Sequence, residues 1–265
     1  MAQFNISSWP AAAGSIVLYS SLANLGGARP VVVFMHGALR SAAVLQSWAD
    51  ILATEADVVL VDLPGHGRSS PIASATVEAM AGLVHEVLRA ALPDRQIVLV
   101  GESMGGTIAL AIGGLADPAW IRAILAADPP VTMAKQWTVA DNFRRLIARE
   151  PNHAVAIQVG REVFGISQDD IAEIIYYPLI GHLRTPTLIA TGDIALLPPR
   201  RVNGITCLFD AVDQFVVSQL YPGKASIRRI SNCGHLLLVD AKDECRKLVV
   251  ELLQQYTDAP RVLIA

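Results

Sequence analysis

The sequence predicts an α/β fold, with a mainly parallel central sheet, helices on both faces and a small helical cap. Nearly continuous apolar runs, typical of strands buried on both faces, recur along the chain. Between them, apolar residues return every three or four positions, as on one face of a helix. Strands and helices in this alternation form a covered parallel sheet. The predicted strands are residues 31–35, 58–61, 97–100, 123–127, 187–190 and 225–230.

Two helices are predicted by a clear apolar stripe with helical spacing. The first stripe consists of Val77, Met80, Ala81, Val84, Val87 and Leu88, and the second of Cys245, Leu248, Val249 and Leu252. A third helix, over residues 107–116, is rich in small residues and follows the strand at 97–100 after a short turn.

Residues 129–184 interrupt the alternation, because they contain helical patterns but no convincing strand. One pattern consists of Val139, Phe143, Leu146 and Ile147, and another of Ile171, Ile174 and Ile175. The segment is too long for a simple crossover, so it predicts a cap over the carboxyl ends of the strands, where open α/β sheets bind ligands. Residues 1–128 and 185–265 are then the core, and residues 129–184 the cap.

Composition limits the possible functions. Among 265 residues, 52% are hydrophobic and 17% charged, which excludes a disordered chain, and the net charge of −3 gives no basic footprint for nucleic acid. No apolar stretch is long enough to span a membrane, and the N-terminus lacks the basic residues of a secretory signal. Three scattered cysteines predict reduced thiols in a cytoplasmic protein. The expected partner is a small-molecule substrate, and the oligomeric state stays open.

The strongest local signal is the segment Gly101-Glu102-Ser103-Met104-Gly105, which joins a predicted strand to a predicted helix. A serine on such a sharp turn needs small neighbours, because its backbone is strained. The turn raises the hydroxyl above the sheet, at the positive end of the following helix. Ser103 is therefore the candidate nucleophile.

Three further motifs accompany this turn. His36-Gly37-Ala38 follows the strand at 31–35, the sequence DLPGHGRS begins at Asp62, and Gly234-His235 comes near the end. Together with Ser103 they resemble the α/β-hydrolase superfamily over about residues 15–255. The resemblance implies the α/β-hydrolase fold but is poorly specific for substrate. It also implies an oxyanion hole made by the backbone N–H groups of Ala38 and Met104.

The nucleophile requires a general base, and His235 is the best candidate among six histidines. It follows the last predicted strand, so it lies at the carboxyl edge of the sheet. The order of serine before histidine also matches the superfamily. Of the other histidines, His36 and His66 have expected roles in loops.

The acid that orients His235 has two main candidates. Superfamily members usually carry it after the strand that follows the cap, three residues after a glycine, but that position is Ala195 and the nearest carboxylate is Asp193. The alternative is Asp128, which closes the strand at 123–127, where haloalkane dehalogenases and cofactor-free ring-opening dioxygenases of this fold carry their acid. We favour Asp128 narrowly, and Asp210 or Asp213 is a distant third choice.

These residues predict a cofactor-independent serine hydrolase that cleaves an ester, thioester or lactone of a small, mostly apolar substrate through an acyl-enzyme. Trp137, Phe143 and Tyr176 of the cap are candidate substrate-pocket residues, and no metal or organic cofactor is implied. Carbon–carbon bond hydrolysis, acyl transfer and cofactor-free dioxygenation on the same fold are alternatives. A non-catalytic ligand-binding protein is less favoured, because a receptor would need none of these polar residues.

Overall fold

A computed structural model describes residues 4–22, 25–133, 135, 137–150, 153–167, 170–194 and 206–258, with the side chains of residues 137 and 138 excepted. Ala195 and the predicted loop at 198–204 lie outside these residues. Within them, no helix has the length and apolar character needed to cross a membrane.

The centre of the molecule is a twisted sheet, and the described residues contribute eight strands to it. These are β1 (Asn5–Ala11), β2 (Gly14–Ser20), β3 (Val31–Met35), β4 (Asp57–Val61), β5 (Ile97–Glu102), β6 (Ile121–Ala127), β7 (Thr187–Gly192) and β8 (Ser226–Ile230). Their spatial order is β1-β2-β4-β3-β5-β6-β7-β8. Strands β3 to β8 are parallel, whereas β1 and β2 form an antiparallel hairpin that joins the sheet through β4.

Helices cover both faces of this sheet. They are α1 (Ser47–Ile51), α2 (Val77–Ala91), α3 (Met104–Leu115), α4 (Trp137–Arg149), α5 (Ala154–Phe164), α6 (Tyr177–Gly181), α7 (Ala211–Leu220), α8 (Leu237–Asp240) and α9 (Lys242–Tyr256), and a 3₁₀ turn precedes α1 at Ala42–Leu45. The three helices α4, α5 and α6 all lie between β6 and β7 in the chain, where the cap is predicted.

The alternation of side chains along β3 divides the core into two layers. Val31, Val33 and Met35 pack with α2 and α3 on one face, whereas Val32 and Phe34 pack with α1, α8 and α9 on the other. All five side chains are fully buried. Because both faces of β3 are covered, its sequence is apolar at every position rather than at every second one.

The predicted helix at Ile171, Ile174 and Ile175 is wrong. Ile171 and Ile175 instead form isolated antiparallel bridges, with Ile166 and Thr132 respectively. Ile175 is also 54% exposed, so the regular spacing of these isoleucines does not mark a buried stripe. The helices on either side of these isoleucines are α5, which ends at Phe164 and is capped by Gly165 in a left-handed conformation, and α6, which begins at Tyr177.

Candidate active site

Ser103 lies on a sharp turn between β5 and α3. Its backbone adopts φ 57° and ψ −125°, which a residue with a side chain rarely occupies. Two hydrogen bonds hold this conformation: the Ser103 N–H donates to the carbonyl of Ala127 at 2.8 Å, and the N–H of Thr107 donates to the Ser103 carbonyl at 3.1 Å. The side chain is thus fixed where β5 ends and α3 begins.

Close backbone approaches around Ser103 explain the flanking glycines. A Cβ on Gly101 would collide with the carbonyl of Gly105, and one on Gly105 would lie 2.6 Å from the carbonyl oxygens of Met35 and His36. Because these obstacles are backbone atoms, they cannot rotate aside. The turn therefore requires glycine at both positions, as its sequence predicts.

The two amides predicted for an oxyanion hole belong to segments adjacent to Ser103. Met104 is the first residue of α3, and a Cβ on Gly37, the residue before Ala38, would lie 3.2 Å from the Cβ of Ser103. Within the described residues, neither the Ala38 nor the Met104 N–H has a hydrogen-bond acceptor. Both donors are thus available to an oxygen beside the serine.

His36 supports the loop that carries Ala38. Its Nδ1 lies 2.8 Å from the Gly37 carbonyl oxygen, and its Nε2 accepts the Leu63 N–H at 3.1 Å. Burial lowers the pKa of His36 to about 4, so this imidazole is neutral near pH 7. A neutral ring that donates from Nδ1 and accepts at Nε2 satisfies both contacts, which agrees with the expected role in the loop.

His235 and Asp128 form a buried pair. His235 Nδ1 lies 2.6 Å from Asp128 Oδ2. The same carboxylate accepts hydrogen bonds from Thr191 Oγ1 at 2.8 Å, from the Leu208 N–H at 2.7 Å and from the Phe209 N–H at 3.1 Å. With Nδ1 held by the carboxylate, Nε2 is the nitrogen left to act on a substrate-side proton.

Asp193, the competing acid, lies near the histidine loop but not on the histidine. Its N–H donates to the Cys233 carbonyl at 3.0 Å, and between the described atoms of Asp193 and His235 there is no hydrogen bond or ion pair. The distant candidates have other partners: Asp210 caps α7, and Asp213 accepts from Tyr177 Oη at 2.5 Å. The geometry thus joins Asp128 to His235 and separates the other three carboxylates from it.

A cavity of about 270 Å³ opens beside these residues. It is lined by residues from the core and from α4 and α5: Gly37, Ala38, Arg40, Glu102, Ser103, Val139, Asn142, Phe143, Phe164, Leu208, His235 and Leu236. Phe143 therefore lies where a pocket residue is expected. Tyr176 does not line this cavity, because it is buried and its hydroxyl donates to the Val163 carbonyl at 2.9 Å. The side chain of Trp137 lies outside the described residues.

Two charged residues of the cavity, Arg40 and Glu102, were not predicted as site residues from the sequence. The Glu102 carboxylate accepts the Leu238 N–H at 2.9 Å through Oε1 and Arg40 Nη1 at 3.2 Å through Oε2. Glu102 is fully buried, whereas Arg40 is part-exposed. A signal for this pair exists in the sequence, since Glu102 interrupts an apolar run, and a carboxylate in a buried strand requires a partner.

Among the described residues, none of the three cysteine thiols hydrogen-bonds to Ser103, Asp128 or His235. Cys207, Cys233 and Cys245 are buried free thiols, and burial raises the pKa of Cys207 to about 12 and that of Cys233 to about 11. They are therefore protonated, weak nucleophiles at neutral pH. Across the part of the chain that the structure describes, no three His, Cys, Asp or Glu residues are grouped so as to hold a metal ion.

Comparison with known proteins identifies related sequences. Residues 30–148 match a family model described as the alpha/beta hydrolase fold. The chain is 30% identical over 140 residues to a pimeloyl-[acyl-carrier protein] methyl ester esterase from Proteus mirabilis, which covers 47% of this chain and 52% of that protein. It is 41% identical over 91 residues to the dihydrolipoyllysine-residue acetyltransferase component of an acetoin cleaving system from Cupriavidus necator, over 33% of this chain and 23% of that protein. The chain thus spans about half the length of these relatives or less.

Solved structures extend the similarity over almost the whole chain. A thioesterase domain from the curacin biosynthetic pathway superposes with a TM-score of 0.65 at 22% identity, covering 94% of this chain and 99% of that one. E-2-(acetamidomethylene)succinate hydrolase superposes with a TM-score of 0.70 at 17% sequence identity, and the match covers 95% of this chain and 100% of that one. The carboxylesterase CesB from Bacillus subtilis superposes with a TM-score of 0.69 at 14% sequence identity, and the match covers 95% of this chain and 92% of that one. At sequence identities this low, the superpositions show that these proteins share a fold with this chain.

Proposed function

Because this chain belongs to the α/β-hydrolase superfamily, we propose that it is a cofactor-independent serine hydrolase. Its substrate is an ester, thioester or lactone with a small, mostly apolar acyl group. The observation that carries this proposal is the position of His235, whose Nδ1 is held 2.6 Å from Asp128 while its ring lines the same cavity as Ser103. Ser103 and His235 thus line the same cavity, and Asp128, which is not among the lining residues, holds the histidine.

The first half of the reaction forms an acyl-enzyme. Ser103 Oγ attacks the substrate carbonyl carbon, and His235 Nε2 accepts the proton of the hydroxyl. The tetrahedral oxygen, now negatively charged, accepts hydrogen bonds from the Ala38 and Met104 N–H groups. Asp128 keeps Nδ1 protonated and stabilises the imidazolium. The intermediate then collapses, and the alcohol or thiol leaves with the proton from His235.

The second half releases the acid by the same groups. Water replaces the departed alcohol or thiol, and His235 Nε2 accepts a proton from it as its oxygen attacks the acyl carbon. The two amides again hold the oxyanion. When the bond to Ser103 Oγ breaks, the serine oxygen takes the proton back from His235, so the enzyme returns to its starting state and the products are a carboxylic acid and an alcohol or thiol.

The cavity limits the size of the acyl group. Its volume of about 270 Å³ is at the lower end of the ~300–1,000 Å³ common for ligand pockets. Phe143, Phe164 and Leu208 give it an apolar wall. One relative is named as an esterase that acts on the methyl ester of a pimeloyl group linked to an acyl carrier protein. We therefore include carrier-linked acyl groups in the substrate class, with the small acyl part in the cavity and the carrier outside it.

A fluorophosphonate probe tests the proposal, because it phosphonylates an activated serine. We expect intact-mass spectrometry to find one adduct on the wild-type protein and none on Ser103→Ala. Circular dichroism of both proteins controls for folding. Hydrolysis of short p-nitrophenyl esters should disappear with the same substitution. A folded wild-type protein that gives neither adduct nor hydrolysis would refute an activated serine, and oxygen consumption and ligand binding would then be measured.

A further inference from the structure

Glu102 is a buried carboxylate that the proposed mechanism does not use. Burial raises the pKa of this carboxyl group, which shows that the surroundings oppose its charge. Burying a carboxylate costs several kcal/mol unless partners compensate, and an apolar residue of similar size is often at least as stable in such a position. A buried carboxylate paired in this way is therefore weak evidence that it stabilises the fold.

The partners of Glu102 come from two segments that are distant in the chain. Arg40 is 62 residues away and follows Ala38 by two positions. Leu238 is 136 residues away and follows His235 by three positions. Glu102 itself directly precedes Ser103. One carboxylate thus contacts the segments that carry the oxyanion amide, the nucleophile and the base.

We propose that Glu102 is a positioning residue that holds the Ala38 amide and the His235 ring in register with Ser103, with Arg40 as its counter-ion. This inference rests on the proposed function. One carboxylate oxygen contacts Arg40 in the loop after β3, and the other contacts Leu238 in α8, the short helix that follows His235. A displacement of about 1 Å in such a group can reduce the rate 10²-fold, so the loss of one contact should be measurable.

The substitution Glu102→Gln tests the charge separately from the shape. Glutamine keeps a carbonyl oxygen for the Leu238 N–H but loses the ion pair with Arg40. We expect kcat to fall 10- to 100-fold while KM for a short p-nitrophenyl ester changes less than threefold, because glutamine keeps the shape of the cavity wall to which Glu102 contributes. The melting temperature should fall little, because water can solvate the part-exposed Arg40 guanidinium once its partner is neutral. A merely structural role would lower the melting temperature and leave kcat of the folded protein as in the wild type.

The matched control is Glu162→Gln on α5. The Glu162 carboxylate also accepts a backbone N–H from a distant segment, that of Ala75 at 2.6 Å, but it does not line the cavity. We expect its kcat to stay within twofold of the wild type. An equal loss in both variants would overturn the assignment, since it would show a general effect of removing a carboxylate that bridges two segments.

The substitution Arg40→Met is a second test of the proposal, and it changes no residue of the buried strand β5. Since Arg40 is part-exposed, the variant should fold, and we expect a tenfold or greater loss of kcat with no further loss in the double variant with Glu102→Gln. Additive losses, or a wild-type kcat in both single variants, would overturn the inference. Labelling of the wild-type protein by the fluorophosphonate is measured in parallel. If the wild type is not labelled, the proposed function is refuted. If the wild type is labelled but the variants keep its kcat, only the role of Glu102 is refuted.

Discussion

At the scale of single residues, Asp128 is the most tightly held side chain of the site. It is fully buried, and its two oxygens accept four hydrogen bonds, two from backbone amides and one each from Thr191 and His235. The two backbone amides and the Thr191 hydroxyl would hold the carboxylate in place even without His235. The imidazole is therefore oriented by an anion that cannot rotate, which is what a general base requires.

We predict that Asp128→Asn reduces kcat on the order of 10⁴-fold, as in the serine-protease precedent, because an amide NH₂ facing Nδ1 favours the wrong tautomer of His235. Asp193→Asn is the matched control and should change kcat less than tenfold. Steady-state hydrolysis of a p-nitrophenyl ester measures both, with circular dichroism to verify folding. The reverse order of the two losses would assign the orienting role to Asp193.

A second prediction concerns the strain at Ser103. Its φ of 57° costs a residue with a Cβ about 1–3 kcal/mol, which glycine does not lose. Part of this gain in stability is offset, because glycine raises the conformational entropy of the unfolded chain, which lowers stability by about 0.4–1 kcal/mol. We expect Ser103→Gly to be about 1 kcal/mol more stable than Ser103→Ala in urea unfolding. Both variants lack the nucleophile, so equal stability would mean that the turn stores no strain.

At the scale of elements, the junction of β5 and α3 depends on backbone proximity. We predict that Gly101→Ala destabilises the protein by about 1–3 kcal/mol and reduces hydrolysis, because the added Cβ meets the Gly105 carbonyl. Gly82→Ala in α2 is the control: nothing lies within 4 Å of its Cβ, and it should raise stability by about 0.5–1 kcal/mol. Thermal unfolding compares them, and a neutral Gly101→Ala would contradict the geometry.

Which elements could be predicted from sequence follows largely from their burial. The strands β3 to β7 lie deep inside the sheet and read as continuous apolar runs. Strand β1 was not among the strands predicted from apolar runs, because Asn5–Ala11 is largely exposed at the sheet edge and includes serines and a proline. Strand β2 was not predicted either, although Ile16, Val17 and Leu18 are buried, so burial does not account for its omission. Helix α5 was missed because its buried stripe contains Ala156 and Gly160, whose small side chains weaken the apolar pattern.

The site residues also differ in how far the sequence alone could predict them. Ser103 and His235 could be selected because their flanking glycines and strands restrict the local backbone. The choice between Asp128 and Asp193 could not be made locally, since it depends on which of the strands β6 and β7 brings its end to the His235 loop, and Asp128 is 107 residues from His235 in the chain. The pairing of Arg40 with Glu102 is equally non-local. Long-range contacts of this kind leave little trace in one sequence.

At the scale of the whole molecule, a buried neutral histidine links stability to pH. The unfolded chain binds a proton at His36 near the usual pKa of 6.5, whereas the folded chain does so only near 4. Stability from this residue is therefore complete above pH 6.5 and is lost as the pH falls through 4. The difference between the two pKa values corresponds to about 3 kcal/mol.

We accordingly predict that the free energy of unfolding falls between pH 7 and pH 4, and falls less in His36→Gln. Urea unfolding at several pH values in this interval measures both proteins. Carboxylates titrate in the same interval, so the informative quantity is the difference between the two slopes. Identical slopes would show that His36 takes up its proton equally in the folded and unfolded chains.

The pairing of Asp128 with His235 also has a consequence for the order in which the chain is made. Ribosomes add about 5–20 residues per second, and His235 follows Ser103 by 132 residues (235 minus 103). Ser103 therefore exists on the order of ten seconds before the residue that would activate it. Throughout that interval the nascent chain carries a serine without a base, so we expect it to be inert toward esters until the loop after β8 has emerged and closed onto the sheet.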